Sequence, residues 1–206
     1  MGQKLTREDT LFVQRLWKCQ GLYRGVLDGQ WGPKTEAAAR EADLVAADLR
    51  KIGTFDSRTE TMIAGLHLLA QERARRLLGL ARTNGFAAKI ISGTRTYAEQ
   101  NALYRQGRFG NPGPRVTKAR GGQSNHNFAI AFDIGLFDSA GRYLAGNSDE
   151  ELTEYRRLAA NVRASGLELE WGGDWKFVDV PHYQLPTGGR SVAETRKLFE
   201  AGLPYV

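Results

Sequence analysis

The chain has 206 residues, 41% of them hydrophobic and 25% charged, enough to bury a sizeable core. No apolar run reaches the roughly 18 residues of a membrane-spanning helix, so insertion into a bilayer is excluded. The formal charge of +6 favours anionic partners such as nucleic acid, anionic lipid or bacterial wall polymer without choosing among them. No basic run is interleaved with aromatic residues in the way that binds single strands, and nucleic acid is not expected as a partner.

Met1 to Thr10 is polar and mixed in charge, with no apolar stretch ahead of a cleavage site. No secretory signal is read there, and synthesis in the cytoplasm is expected. The single cysteine, Cys19, excludes an internal disulfide and sits in an apolar helical pattern as a small buried hydrophobe. Phe12, Leu16 and Cys19 follow the i, i+4, i+7 spacing that predicts a helix over 10–20, stopped by Gly21. Asp28-Gly29 marks a turn, and Pro33 suits the first turn of a second helix running to about Arg50. Val13-Gln14, Leu16, Gly21-Leu22-Tyr23, Asp28-Gly29-Gln30-Trp31-Gly32-Pro33 and Thr35 together resemble the small three-helix peptidoglycan-binding domain found beside many wall hydrolases. Leu44 to Leu49 runs straight into Gly53-Thr54, so the expected copy, residues 1–52, is compact or truncated at its third helix.

A long helix is predicted from Ser57 to Thr83, capped by Asp56 or Ser57 and ended by Asn84-Gly85. Leu66, Leu69, the stem of Arg73, Leu77 and Leu80 mark one face. Arg73, Arg75, Arg76 and Arg82 read as a solvated face, and His67, with no second ligand near it in sequence, as a packing or surface residue. Lys89-Ile90-Ile91 predicts a strand, and a helix follows over 98–106. The loop over 107–122 is rich in Gly, Pro and Arg and is expected to border a cleft. A second strand is predicted over 128–137, a helix over 150–165, and short strands at 167–171 and 183–185. Helices interspersed with short strands give an α+β class, a small antiparallel sheet with flanking helices over residues 53–206.

Two of the three histidines fall in short segments that also carry aspartates: Ser124-Asn125-His126-Asn127-Phe128-Ala129-Ile130-Ala131-Phe132-Asp133 and Asp179-Val180-Pro181-His182-Tyr183. Two imidazoles and one carboxylate hold zinc with a fourth position open to water. A carboxylate left over beside them is a candidate base, and Asp179, three residues before His182, is placed for it. This is not the helical His-Glu-x-x-His pattern, and a His and an Asp seven residues apart carry little information by themselves.

The whole set resembles the zinc peptidases that comprise D-alanyl-D-alanine carboxypeptidases, D-alanyl-D-alanine dipeptidases and L-alanyl-D-glutamate endopeptidases. Their Ser-x-His-x-x-Gly-x-Ala-x-Asp signature is matched by Ser124, His126, Ala131 and Asp133, the later acid and histidine by Asp179 and His182, and the Ser-Gly-x-Arg segment by Ser92-Gly93-Thr94-Arg95. The resemblance implies that His126, Asp133 and His182 bind Zn2+, that Asp179 is the catalytic acid/base, that Arg95 steadies the substrate carbonyl, and that Ser124 helps hold substrate. Trp175 and Tyr183 are expected to wall the site for a peptide stem, with Trp171 nearer to core. The stretch around Asn125-His126-Asn127-Phe128 is most similar to the endopeptidase branch, which includes phage endolysins and wall-remodelling enzymes. The implied activity is hydrolysis of the L-alanyl–D-glutamate bond of bacterial peptidoglycan by a monomer that reaches the wall through holin-type release or dedicated export. A D,D-carboxypeptidase of the same family and a wall-binding zinc module without catalysis are the alternatives. One position departs from the signature: Ala129 stands where the family has glycine, and it is expected to be tolerated unless its backbone takes a positive φ.

Overall fold

The computed structural model describes residues 5–206; Met1–Lys4, part of the stretch read for a signal, lie outside them. In chain order the described residues form α1 (Arg7–Cys19), α2 (Pro33–Leu49), α3 (Ser57–Ala64), α4 (Leu68–Thr83), β1 (Ala87–Ser92), α5 (Tyr97–Arg105), β2 (Ala131–Phe137), β3 (Tyr143–Leu144), α6 (Asp149–Ala164), β4 (Glu170–Trp171), β5 (His182–Gln184) and α7 (Val192–Ala201). The class is α+β, as expected. No helix among the described residues is long and apolar enough to cross a membrane. Two compact units are formed, one from the described residues through Val45 with Arg95–Ala129 and Thr187–Val206, the other from Ala46–Thr94 and Ile130–Pro186.

In the first unit, one buried side chain explains the amino-terminal motif. The Gln14 amide, on α1, donates to Asp28 Oδ1 (3.0 Å), the Gln30 carbonyl (3.0 Å) and Thr35 Oγ1 (3.2 Å). Its oxygen accepts from the Gly29 N–H at 2.9 Å. Gly29 has φ +69°, and a Cβ there would lie 2.7 Å from the Arg7 carbonyl oxygen, so the turn demands glycine twice over. Cys19 is buried as expected, and burial pushes its thiol up to about 12. The unit also contains a helix the periodicity did not predict, α7. It opens with a capping box in which Ser191 and Glu194 satisfy each other's backbone N–H. It buries Phe199 against Phe12 and Phe128, with ring centroids 5.4 and 5.5 Å apart. Tyr205 then donates its hydroxyl to the Phe128 carbonyl at 2.6 Å.

The second unit holds an antiparallel sheet ordered β1-β2-β5-β4, with β3 also on β2. The two-residue alternation of β2 sorts its side chains. Phe132, Ile134 and Leu136 enter the core, while Asp133 and Gly135 take the other face. Register carries this across the sheet: Ile90 pairs with Ile134, Phe132 with Tyr183 and Tyr183 with Trp171, all on the core face. Tyr155 of α6 clips β2 to β3, accepting from the Leu136 N–H and donating to the Leu144 carbonyl.

Several expectations are corrected here. The single helix over 57–83 is two, α3 and α4, because Gly65 ends the first and His67 caps the second through Nδ1, which accepts from the Leu69 N–H at 3.2 Å. Burial holds the His67 imidazole down to about 4. The break rotates the apolar stripe: Ala70, Ala74, Leu77, Leu78 and Ala81 are buried, whereas Leu69 is exposed. Arg75 is not solvated but 2% exposed, and its guanidinium pairs in two-pronged fashion with Glu60 at 2.8 and 2.7 Å. The strand expected from Phe128 begins at Ala131, because the chain before it is coiled into a 3-10 turn.

Candidate metal centre

His126 lies in that 3-10 turn, Asn125–Phe128. Ser124 precedes it in extended conformation, with its side chain free of any capping role toward the turn. The turn ends at Ala129, wholly buried and left-handed at φ 61°, ψ 21°. The position where the family has glycine is therefore one where an L side chain is strained, and the expectation that alanine sits there without conformational cost is corrected. Asn127 braces the turn. Its side-chain oxygen accepts from the Gly122 N–H (3.0 Å) and its amide donates to the Arg95 carbonyl (2.9 Å). The Arg95 N–H in turn donates to the His126 carbonyl at 3.1 Å. Arg95 is thus tied through its backbone to the His126 turn although 31 residues separate them in sequence. The support from Asn127 was not anticipated; its only mark in the sequence is an amide in the middle of the signature.

Asp133 faces His182 directly across the β2–β5 ladder and Ser92 across β1, where β1 is bulged between Ile90 and Ser92. The His182 Nδ1 and Asp133 Oδ1 stand 3.3 Å apart. His126, Asp133 and His182 each offer one ligand atom, and these atoms all lie within 4.8 Å of one another. Two atoms bound at about 2.0–2.1 Å to one tetrahedral zinc are themselves roughly 3.3 Å apart, so the donor set, its spacing and its burial fit a metal ion with three protein ligands.

Asp179 lies in the exposed segment after the 3-10 turn Gly172–Asp174. Its N–H donates to the Gly172 carbonyl (3.0 Å), and its carbonyl accepts from the His182 N–H (3.1 Å). This is a tight turn packed onto Gly172, where a Cβ would meet the Asp179 carbonyl oxygen at 2.5 Å and the His182 Cβ at 3.0 Å. Trp175 is 38% exposed, with its ring centroid 4.8 Å from that of His182. Tyr183, expected with Trp175 at the substrate, is placed elsewhere. It is wholly buried on the core face, stacked on Phe132 at 6.3 Å, and burial pushes its phenol well above the usual range. Trp171, read as core, is buried with it and donates its indole N–H to the Val180 carbonyl at 2.8 Å.

Comparison with known proteins bears on this arrangement. Residues 117–185, which carry His126, Asp133, Asp179 and His182, match the family described as D-alanyl-D-alanine carboxypeptidase. The chain is also similar to the peptidoglycan L-alanyl-D-glutamate endopeptidase CwlK of Bacillus subtilis (strain 168), with 35% identity over 126 residues, covering 58% of this chain and 73% of the relative.

Proposed function

Because the chain belongs to the D-alanyl-D-alanine carboxypeptidase family of metallopeptidases and acts on peptidoglycan, we propose that it is a zinc endopeptidase cutting the L-alanyl–D-glutamate bond of the wall peptide stem. The observation that carries this reading is the His182–Asp133 cross-strand pair completed by His126. Zinc held by these three residues supplies Lewis acidity to an amide carbonyl and to water.

The remaining residues divide the work. Asp179, exposed one tight turn from His182, takes a proton from the attacking water and returns it to the leaving amine. Arg95, braced through its backbone against the His126 turn, is assigned to the oxygen on which negative charge develops, a contribution of about 3–4 kcal/mol where such donors have been removed. Trp175, half-exposed beside His182, and Ser124 line the path of the peptide stem. The Gln14-braced amino-terminal helices are assigned to wall binding, and lysis by an endolysin or a wall-directed effector is the setting in which that pairing is used.

Incubating the zinc-loaded protein with purified sacculi and identifying the products by mass spectrometry tests the reading. New D-glutamate N-termini support it; intact wall peptides sink it. Chelator and Asp179→Asn are both expected to abolish cleavage, Asp179→Asn with zinc still bound. The D,D-carboxypeptidase reading is kept because the family description names that activity; released D-alanine without new N-termini selects it.

A further inference from the structure

We propose that Gln184 and Glu170 are positioning residues that fix the tautomer and orientation of His182 and so hold the metal, although neither belongs to the ligand set. The inference rests on the metal reading above. It starts from strand alternation. His182 and Gln184 are two residues apart on β5 and share its metal-facing side, and Gln184 pairs across the ladder with Glu170 of β4. The Gln184 amide nitrogen donates to Glu170 Oε2 at 2.6 Å. An ionised carboxylate only accepts, so this bond commits the NH2 end of the amide to Glu170. The other end, Gln184 Oε1, is thereby turned to His182 Nε2, 3.1 Å away. An amide oxygen also only accepts, so Nε2 must carry the hydrogen. A neutral imidazole has one N–H, and the lone pair is left on Nδ1. That is the nitrogen 3.3 Å from Asp133 Oδ1, on the side where the ligand atoms converge.

The chain of polarity runs from Glu170 through Gln184 to His182, and each link fixes the next. Its value lies in the state it suppresses. With the hydrogen on Nδ1 instead, His182 would donate to Asp133, and two ligands would be spent on each other. His182 is 5% exposed and Gln184 5% exposed, so water does not stand in for the amide. Outer partners of metal-bound histidines typically contribute about 10–100-fold to metal affinity.

The test is zinc affinity of the full chain, measured by competition with a chromophoric chelator, with thermal melting of the metal-free chain to check folding. Gln184→Leu is expected to weaken zinc about 10–100-fold. The exchange Glu170→Gln with Gln184→Glu reverses the bond between the two positions but keeps an acceptor facing His182 Nε2, because the amide now at 170 donates to the carboxylate now at 184, which accepts from His182. It is expected to restore wild-type affinity, because an acceptor again faces His182 Nε2. If Gln184→Leu holds zinc as tightly as wild type, or if the folded exchange variant binds no better than Gln184→Leu, the inference is overturned while the metal reading stands. If the wild-type chain takes up no zinc, both fall.

Discussion

Gly172→Ala isolates the geometry on which catalysis depends without touching a polar group. A Cβ at residue 172 would lie 2.5 Å from the Asp179 carbonyl oxygen, where ordinary contact begins at 3.4 Å, so the turn must retreat by about 0.9 Å. The neighbouring contacts, 3.0 Å to the His182 Cβ and 3.2 Å to the Asp179 Cβ, close the sideways routes. The atoms in the way are backbone and Cβ, not the far ends of flexible side chains, so the retreat carries both the proposed acid/base and a candidate ligand with it. Overpacking of this kind costs about 1–3 kcal/mol of stability. A displacement near 1 Å in a reacting group costs on the order of 100-fold in rate. The expected result is a modest loss in melting temperature together with roughly 100-fold slower sacculus digestion, measured at saturating zinc. Wild-type turnover in a folded Gly172→Ala protein would refute the reasoning, because it would mean that the turn absorbs the methyl group without moving Asp179 or His182.

Other consequences can be measured in the same way. At Ala129, glycine removes about 1–2 kcal/mol of left-handed strain but loses about 0.8 kcal/mol for the buried methyl and about 0.4–1 kcal/mol of backbone entropy. Ala129→Gly should therefore melt close to wild type, while Ala129→Val, β-branched at φ 61°, should be clearly destabilised; equal melting of the three would remove the strain argument. His67 has its folded value depressed to about 4 from an ordinary 6.5, so the unfolded chain binds its proton first as pH falls. Stability from this group is present above about 6.5 and is lost between there and about 4, at most ~3 kcal/mol, and His67→Asn, which keeps a cap, should flatten that slope in denaturant titrations at several pH values. Gln14→Leu leaves the Gly29 N–H and its neighbours without their buried partner, for a loss of about 1–3 kcal/mol by thermal unfolding.

The candidate ligands and the proposed acid/base stood out in the sequence because few residue types suit metal chemistry, the chain has three histidines, and the whole set resembles one family's signature. The amino-terminal turn was legible for a similar reason, since Asp28-Gly29 with Pro33 leaves few backbone choices. What escaped was set by tertiary contact. The helix break at Gly65 was hidden inside a run of good helix formers, and it shows only when His67 turns back to cap Leu69. Arg75 reads as surface in any window of sequence, but Glu60, 15 residues away, makes it a core residue. α7 carries a Ser-x-x-Glu start signal, yet its apolar positions acquire meaning only against Phe12 and Phe128.

Tyr183 shows how the misplaced residue and the metal site are connected. A one-residue slip of β5 against β2 would send His182 into the core and bring Tyr183 to the metal face, since neighbours on a strand point oppositely. β5 is three residues long, too short for its ladder alone to forbid this. Two backbone bonds extend the pairing, from the Ile134 N–H to the Pro181 carbonyl (2.8 Å) and from the Leu185 N–H to the Ile130 carbonyl (2.9 Å). The larger penalty comes from the aromatic row. Tyr183 is wholly buried between Phe132 and Trp171, its cross-strand neighbours on either side. A slip would expose that ring and bury an imidazole together with Gln184, at the cost of burying a large side chain, about 1.5–3 kcal/mol, and of desolvating polar groups besides. The residue expected at the substrate thus serves the site from behind, because the register that faces His182 to Asp133 is the one that keeps its ring in the apolar core.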